Sequence, residues 1–189
     1  MKTPMNVFNT VMKKKKKNRK GFSLVELIVV LVIMAILAAA LVPTLVGYIR
    51  QTRQSNAKNE ASSCVSAMQT ISSSAFASAV GASGGQYTSN QSGKTISISF
   101  PNTASGSATL ASGTADDLKT CIADLSETSK GNIIAVTVDE NAKVSGLIYD
   151  DGTTAVKYAD GKYEAKSAGT NHGGYTLTGT NMLAASNTP

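Results

Sequence analysis

One carboxylate in this sequence lies where a charge is costly. An almost purely apolar stretch runs from Phe22 to Val42, and Glu26 lies inside it. A basic run at residues 13–20, KKKKKNRK, precedes the stretch and ends at Gly21. A charge within a segment of membrane length normally has a partner and a task. Glu26 is therefore expected to pair with a cation in apolar surroundings, and the junction at Gly21 is the first candidate site.

Few other residues have the type and spacing for chemistry. The single histidine, His172, lies in a glycine-rich segment, and the only cysteines are Cys64 and Cys121. The sequence has no C-x-x-C spacing and no phosphate-loop motif. It therefore predicts no catalytic residue, no metal site and no cofactor. A lone histidine in a loop is usually a surface residue.

The apolar stretch is long enough to cross a membrane. Phe22–Leu45 meets the requirement of about 20 apolar helical residues, and the lysine run before it places the N-terminus in the cytoplasm. The alternative is a secretory signal peptide cut after Ala40. The apolar run continues past that site to Val46, and an ordinary signal peptide has no charge at the place of Glu26. Both details favour a retained membrane segment.

The junction resembles the cleavage site of type IV prepilins and related pseudopilins. The residues that carry the resemblance are GFSLVEL at 21–27, with a basic leader before them and an apolar helix after them. The resemblance implies that prepilin peptidase cuts after Gly21 and methylates the new amine of Phe22. It also implies that Glu26, fifth after the cut, pairs with that amine on a neighbouring subunit. The alternative for Glu26 is a side chain that snorkels to the membrane interface without a partner.

The physical chemistry of these residues agrees with what the resemblance implies. Gly21 has no side chain, so the backbone can enter a protease cleft there. Attraction between an amine and a carboxylate is strong at low dielectric, but desolvation offsets much of it. The pair is therefore expected to set the register between subunits more than it adds stability.

The formal charge of +6 belongs mostly to the leader. Eight of the 18 Lys and Arg precede Phe22, which leaves ten basic against twelve acidic residues, a net charge of −2. The mature chain is thus not predicted to bind nucleic acid directly.

One long helix is predicted from Phe22 to about Ala79, after a leader at residues 1–21 that is removed. Residues 22–45 are its membrane and assembly half. Residues 46–80 are its amphipathic half, because apolar residues recur there at helical spacing. The apolar positions are Ala57, Ala61, Cys64, Val65, Met68, Ile71 and Ala75. Pro43 removes a backbone hydrogen bond, so a kink is expected there.

Residues 81–189 are predicted to form a globular sheet domain with a polar C-terminal tail at 166–189. The glycines at 81–85 indicate a break, and the alternation at 95–100 predicts a strand. A short helix is expected near 115–127, with Thr114 as its N-cap and Leu118, Cys121, Ile122 and Leu125 on its apolar face. Two hairpins follow, 132–138 with 143–149 and 155–159 with 162–164, the second around the strong turn signal Asp160-Gly161.

This order predicts an α+β, pilin-like fold in which the second half of the long helix packs on an antiparallel sheet. Cys64 and Cys121 fall on the apolar faces of their helices. The sequence leaves two alternatives, a disulfide between the helices or two buried thiols that act as small apolar side chains. Many pilins have a disulfide that closes a C-terminal loop, but residues 122–189 contain no cysteine.

Two acidic pairs, Asp139-Glu140 and Asp150-Asp151, fall in predicted turns. Some pseudopilins bind calcium through loop carboxylates of this kind, but calcium requires about six to eight oxygen ligands. Ordinary turn chemistry explains both pairs.

Three functions remain open. The first is a structural, non-enzymatic subunit of a type IV pilus, serving adhesion, motility or DNA uptake. Its expected partners are prepilin peptidase, other pilin copies, the cytoplasmic membrane and the pilus assembly machinery. The subunit would lie in that membrane before assembly and in a surface filament afterwards. The second function is a pseudopilin of a type II secretion or competence machine. The third is a membrane-anchored binding protein that does not assemble.

Overall fold

The computed structural model describes residues 21–79, 84–103, 106–128 and 132–183. The chain divides into two compact units, Met1–Gly47 and Tyr48–Pro189. Most of the predicted leader, residues 81–83 of the predicted break and the last six residues of the tail lie outside the described residues.

The first element is helix α1, Leu24–Ser78, which confirms the predicted long helix. Pro43 lies inside it, and the kink at this residue stays a prediction. In the first unit, every large apolar side chain from Phe22 to Val46 is at least 50% exposed. By length and composition, α1 could cross a membrane. A signal sequence would meet the same two criteria. These side chains need an apolar environment that their own unit does not supply.

The second half of α1 buries one narrow stripe. Most of its members have small side chains, and they lie at three- and four-residue spacing: Ala57, Ala61, Cys64, Ala67, Met68, Ile71, Ser72 and Ala75. Small side chains leave room for strand β1 to approach the helix backbone closely at Gly85. The prediction missed Ala67 and Ser72, and Val65 is only half-buried. Ser72 is buried because its hydroxyl donates to the carbonyl oxygen of Ala142 at 2.8 Å, which satisfies the polar group.

Seven strands and a second helix follow among the residues that the structure describes. Strands β1 (Gly84–Thr88), β2 (Thr95–Ser99) and β3 (Thr109–Leu110) form a three-stranded antiparallel sheet in that order. Helix α2 is Ala115–Ser126. A four-stranded antiparallel sheet has the order β4 (Asn132–Val138), β5 (Val144–Asp150), β6 (Thr154–Ala159) and β7 (Lys162–Ser167). A short 3₁₀ turn, His172–Gly174, lies in the tail.

Alternation along the strands separates two faces of the four-stranded sheet. Leu147 and Tyr149 on β5, with Val156 on β6, belong to the core that includes the stripe of α1. Gly146, Ile148 and Asp150 point the other way, because neighbouring strand residues face opposite sides. This second side is called the outer face below.

The α+β prediction is confirmed, and so are both hairpins and the strand at 95–99. The Asp160-Gly161 turn has φ values of 51° and 79°, the left-handed pair that a two-residue hairpin turn requires. The tail does return to the sheet, where Met182 and Leu183 are buried.

Several finer expectations were wrong. The described part of the chain has two sheets where one was expected, since Gly84 and Gly85 open strand β1 and the two-residue strand β3 is too short to show a pattern. Thr114 does occupy the N-cap position of α2, but it makes no side-chain capping bond, because its hydroxyl donates backwards to the carbonyl oxygen of Ala111 at 2.7 Å. Leu125, expected in the apolar face, is 39% exposed.

Gly85 gives the first prediction. A Cβ at Gly85 would overlap the carbonyl oxygen of Ala75, and contact between two backbones cannot be relieved by a rotamer change. We expect Gly85→Ala to lower the free energy of unfolding by about 1–3 kcal/mol, measured by chemical denaturation of the full chain in detergent. Gly47→Ala is the control, since a Cβ there meets nothing within 4 Å. Equal stability of the two variants would contradict the close approach of β1 to α1.

Candidate functional site

The junction predicted from the sequence lies immediately before α1. Residues 21–23 are non-helical, and the first helical bond runs from the Leu27 N–H to the carbonyl oxygen of Ser23 at 3.2 Å. A Cβ at Gly21 would meet nothing within 4 Å, and Phe22 is 82% exposed. The peptide bond between Gly21 and Phe22 is therefore in an open, irregular segment of the kind that a protease can bind.

Glu26 lies in the first turn of α1. A helix N-terminus carries a partial positive charge of about half a unit, so a carboxylate is favourable there. A cut after Gly21 would add an amine at Phe22, at this same end. Glu26 is also exposed, so its carboxylate is accessible to a cation outside its own chain. The structure thus brings Gly21, Phe22 and Glu26 together at one end of one helix.

The two cysteines contact different residues. Both are buried free thiols. The Cys64 sulfur lies 3.7 Å from the Ser126 hydroxyl and 3.6 Å from that of Thr128. Burial raises the pKa of both thiols, while hydroxyl contacts act against this increase: Ser126 and Thr128 at Cys64, Ser89 and Ser92 at Cys121. The sequence left two alternatives, a disulfide between the helices or two buried thiols. The structure has two buried thiols.

Each acidic pair has an aspartate that accepts backbone hydrogen bonds within a turn. Asp139 accepts the N–H groups of Asn141 at 3.0 Å and Lys143 at 2.7 Å. Asp151 accepts those of Thr153 and Thr154 at 2.7 and 2.6 Å. Among the described residues, no group of three or more His, Cys, Asp and Glu is placed to hold a metal ion.

Sequence reasoning missed a polar contact between α1 and the sheet. Tyr149 is the largest fully buried side chain, and its hydroxyl donates to the carboxylate of Glu60. Burial, and then this hydrogen bond, raise the pKa of Tyr149 well above its usual range. The available signal was that Glu60 lies one helical turn before Cys64, beside the stripe.

A second missed contact joins the outer face to the tail. The Asp150 carboxylate lies 2.5 Å from Nδ1 of His172, and the Asp150 side chain is only 7% exposed. His172 was expected to be an ordinary surface residue, and its side chain is 46% exposed. No sequence pattern links the two residues, because they are far apart in the chain.

These features define a class: an α+β chain whose N-terminal helix exposes an apolar surface of membrane length and has an acidic residue in its first turn. Residues 16–42 match the family model for the prokaryotic N-terminal methylation motif. That motif is the signature of type IV pilins and pseudopilins, so the resemblance seen in the sequence is confirmed. No curated protein and no solved structure matches the chain.

The match indicates the general class of function. The motif indicates a pilin-like or pseudopilin precursor, and a structural subunit rather than an enzyme. It implies processing by prepilin peptidase and assembly with other pilins. The apolar helix fits a membrane-anchored precursor. The match covers residues 16–42.

The Tyr149 contact gives a second prediction. Tyr149→Phe keeps the ring and removes the donor to Glu60, so we expect the free energy of unfolding to fall by about 1–3 kcal/mol. Denaturation followed by circular dichroism measures the change. Tyr163→Phe is the matched control, since Tyr163 is half-buried and packs its ring on Tyr158. If both variants were equally stable, the Tyr149–Glu60 bond would contribute nothing to holding the sheet on α1.

Proposed function

We propose that this chain is a structural subunit of a type IV pilus. It is inserted in the cytoplasmic membrane through residues 22–45, cut after Gly21 and methylated at Phe22. It then assembles through its apolar helix into a surface filament. The observation that carries the proposal is the combination at the helix start: an open Gly21–Phe22 bond, an exposed Glu26 in the first turn, and an apolar surface that the unit leaves uncovered. Adhesion, motility and DNA uptake are the activities that such a filament would serve.

The role proposed for Glu26 follows from electrostatics. An amine at Phe22 and a carboxylate at Glu26 have opposite charges. They therefore attract each other, most strongly where water is excluded. When apolar helices pack side by side, they supply such a place. The pair then aligns one subunit against its neighbour, and a wrong register leaves two charges unpaired at low dielectric.

A pseudopilin of a secretion or competence machine is the second candidate, since the same motif and processing serve both. The globular domain of residues 84–183 and its Ser/Thr-rich exposed segments favour a surface pilus slightly. Imaging separates the candidates. We expect long surface filaments that contain this protein, whereas their absence even after overexpression would overturn the pilus assignment and favour the pseudopilin.

The processing step is tested by intact mass and N-terminal sequencing of protein isolated from membranes. We expect a start at Phe22 with one added methyl group. Gly21→Glu should leave the precursor uncut in the membrane, because a long charged side chain obstructs the cleft that Gly21 leaves open. A mature terminus at Leu41 would instead show ordinary secretion and would overturn the proposal.

The assembly step is tested with Glu26→Gln. The substitution keeps the size of the side chain and removes its charge, so we expect normal cutting at Gly21 but loss of filaments by electron microscopy. Glu164→Gln is the matched control, since it removes one exposed carboxylate from strand β7. Filaments at the normal level in Glu26→Gln would show that Glu26 only snorkels to the interface, and a membrane-anchored protein that does not assemble would then be favoured.

A further inference from the structure

The C-terminal segment Ala168–Leu183, here called the strap, crosses the outer face of the four-stranded sheet. At its start the Ala168 N–H donates to the carbonyl oxygen of Thr153 at 3.0 Å. A Cβ at Gly173 would lie 3.3 Å from that of Ala155 on β6. A Cβ at Gly146 on β5 would lie 2.8 Å from the Leu177 side chain. The strap therefore passes from β6 across β5.

The far end of the strap is fixed on β4, the last strand of the sheet on this side. The Val136 N–H donates to Oδ1 of Asn181 at 3.1 Å, and the Met182 N–H donates to the carbonyl oxygen of Val136 at 2.9 Å. Met182 and Leu183 are 4% and 7% exposed and join the core. Here the strap covers backbone groups that an edge strand would otherwise leave unpaired.

The near end of the strap depends on Asp150 and His172. One carboxylate oxygen of Asp150 accepts the Gly152 N–H at 2.7 Å, and the other lies 2.5 Å from Nδ1 of His172. A carboxylate that is only 7% exposed is costly unless it is paired. The side chain that pairs it comes from the strap, so the favourable state of Asp150 requires the strap to be in place.

The backbone of His172 supports the same conclusion. His172 has φ 49° and is followed by Gly173 at 72° and Gly174 at 68°. A left-handed φ is strained for most side chains and free for glycine. A turn of this kind would favour glycine at all three positions. A histidine at the first of these positions has a conformational cost, and the contact of the His172 imidazole with Asp150 offsets that cost.

We propose that Asp150 and His172 form a latch that holds the strap on the sheet as one cooperative unit. Residues 122–189 contain no cysteine, so no disulfide within this region can close the strap. When the latch opens, Asp150 gains water, and the N–H and carbonyl of Val136 at the far end lose their cover. The strap is thus a conformational device that can uncover the β4 edge without unfolding the hairpins. This proposal does not depend on cleavage, methylation or assembly.

Hydrogen exchange on the full chain in detergent, followed by mass spectrometry, tests the latch. His172→Gly removes the imidazole and relieves the backbone strain, and Asp150→Asn keeps the size of the buried side chain. We expect either variant to speed exchange by about tenfold or more at the Met182 amide and along the strap. The Leu147 amide in β5 should keep its wild-type rate. The double variant should exchange no faster than either single variant, because both remove the same contact.

Two control measurements make the result decisive. His172→Asn tolerates the left-handed backbone but lacks the imidazole that contacts Asp150, so it should behave like His172→Gly. If His172→Asn exchanges like the wild type, the turn geometry holds the strap and the latch is refuted. If faster exchange is confined to residues next to His172 while Met182 is unchanged, the contact is local and the proposal of one cooperative unit is overturned. Should Asp150→Asn fail to fold, the exposed position of His172 keeps both His172 variants usable.

Discussion

The packing of the globular unit depends on one apolar stripe along the second half of helix α1. The first half offers exposed apolar side chains all round, while the second half buries only one narrow stripe. No single solvent satisfies both halves, since an all-round apolar helix requires lipid or other helices. The stripe of the second half is mostly small side chains, so strand β1 can lie close to the helix backbone. This closeness explains why Gly85 faces the backbone of Ala75, where no side chain would fit.

Polar contacts determine how the four-stranded sheet is placed on that stripe. They are needed because the side chains of the stripe are mostly too small to interlock with those of the sheet. Gln69 donates to the carbonyl of Ala142 at 2.9 Å and accepts the Val144 N–H at 3.0 Å, so one side chain binds the end of the β4–β5 turn where β5 begins. Ser72 donates to the same carbonyl of Ala142. Tyr149 adds a bond to Glu60 farther back along α1. These bonds are directional, so they fix a rotation and a position that apolar packing alone leaves loose.

The predictable parts were those that one local pattern determines. Apolar spacing gave α1, strict alternation gave β2, and Asp160-Gly161 gave a turn because few residues accept two left-handed φ values. The junction at Gly21–Glu26 was predictable because a charge in an apolar segment is rare. Strand β1 was missed because its two glycines are local signals for a break, and contact with α1 overrides them. The Asp150–His172 contact was missed because it joins residues that only the tertiary fold brings together.

Glu26 and the groups around it also show why the candidate site is incomplete in one chain. The attraction between a carboxylate and an amine is weak in water and strong where water is excluded. In the single chain Glu26 is exposed, as are the apolar side chains that follow it. If copies assemble as proposed, their apolar helices exclude the water and so create the medium in which the pair is effective. Desolvation then removes much of the gain. In the proposed filament, the apolar surface would therefore supply most of the free energy of assembly, and the charged pair would select the alignment of the helices.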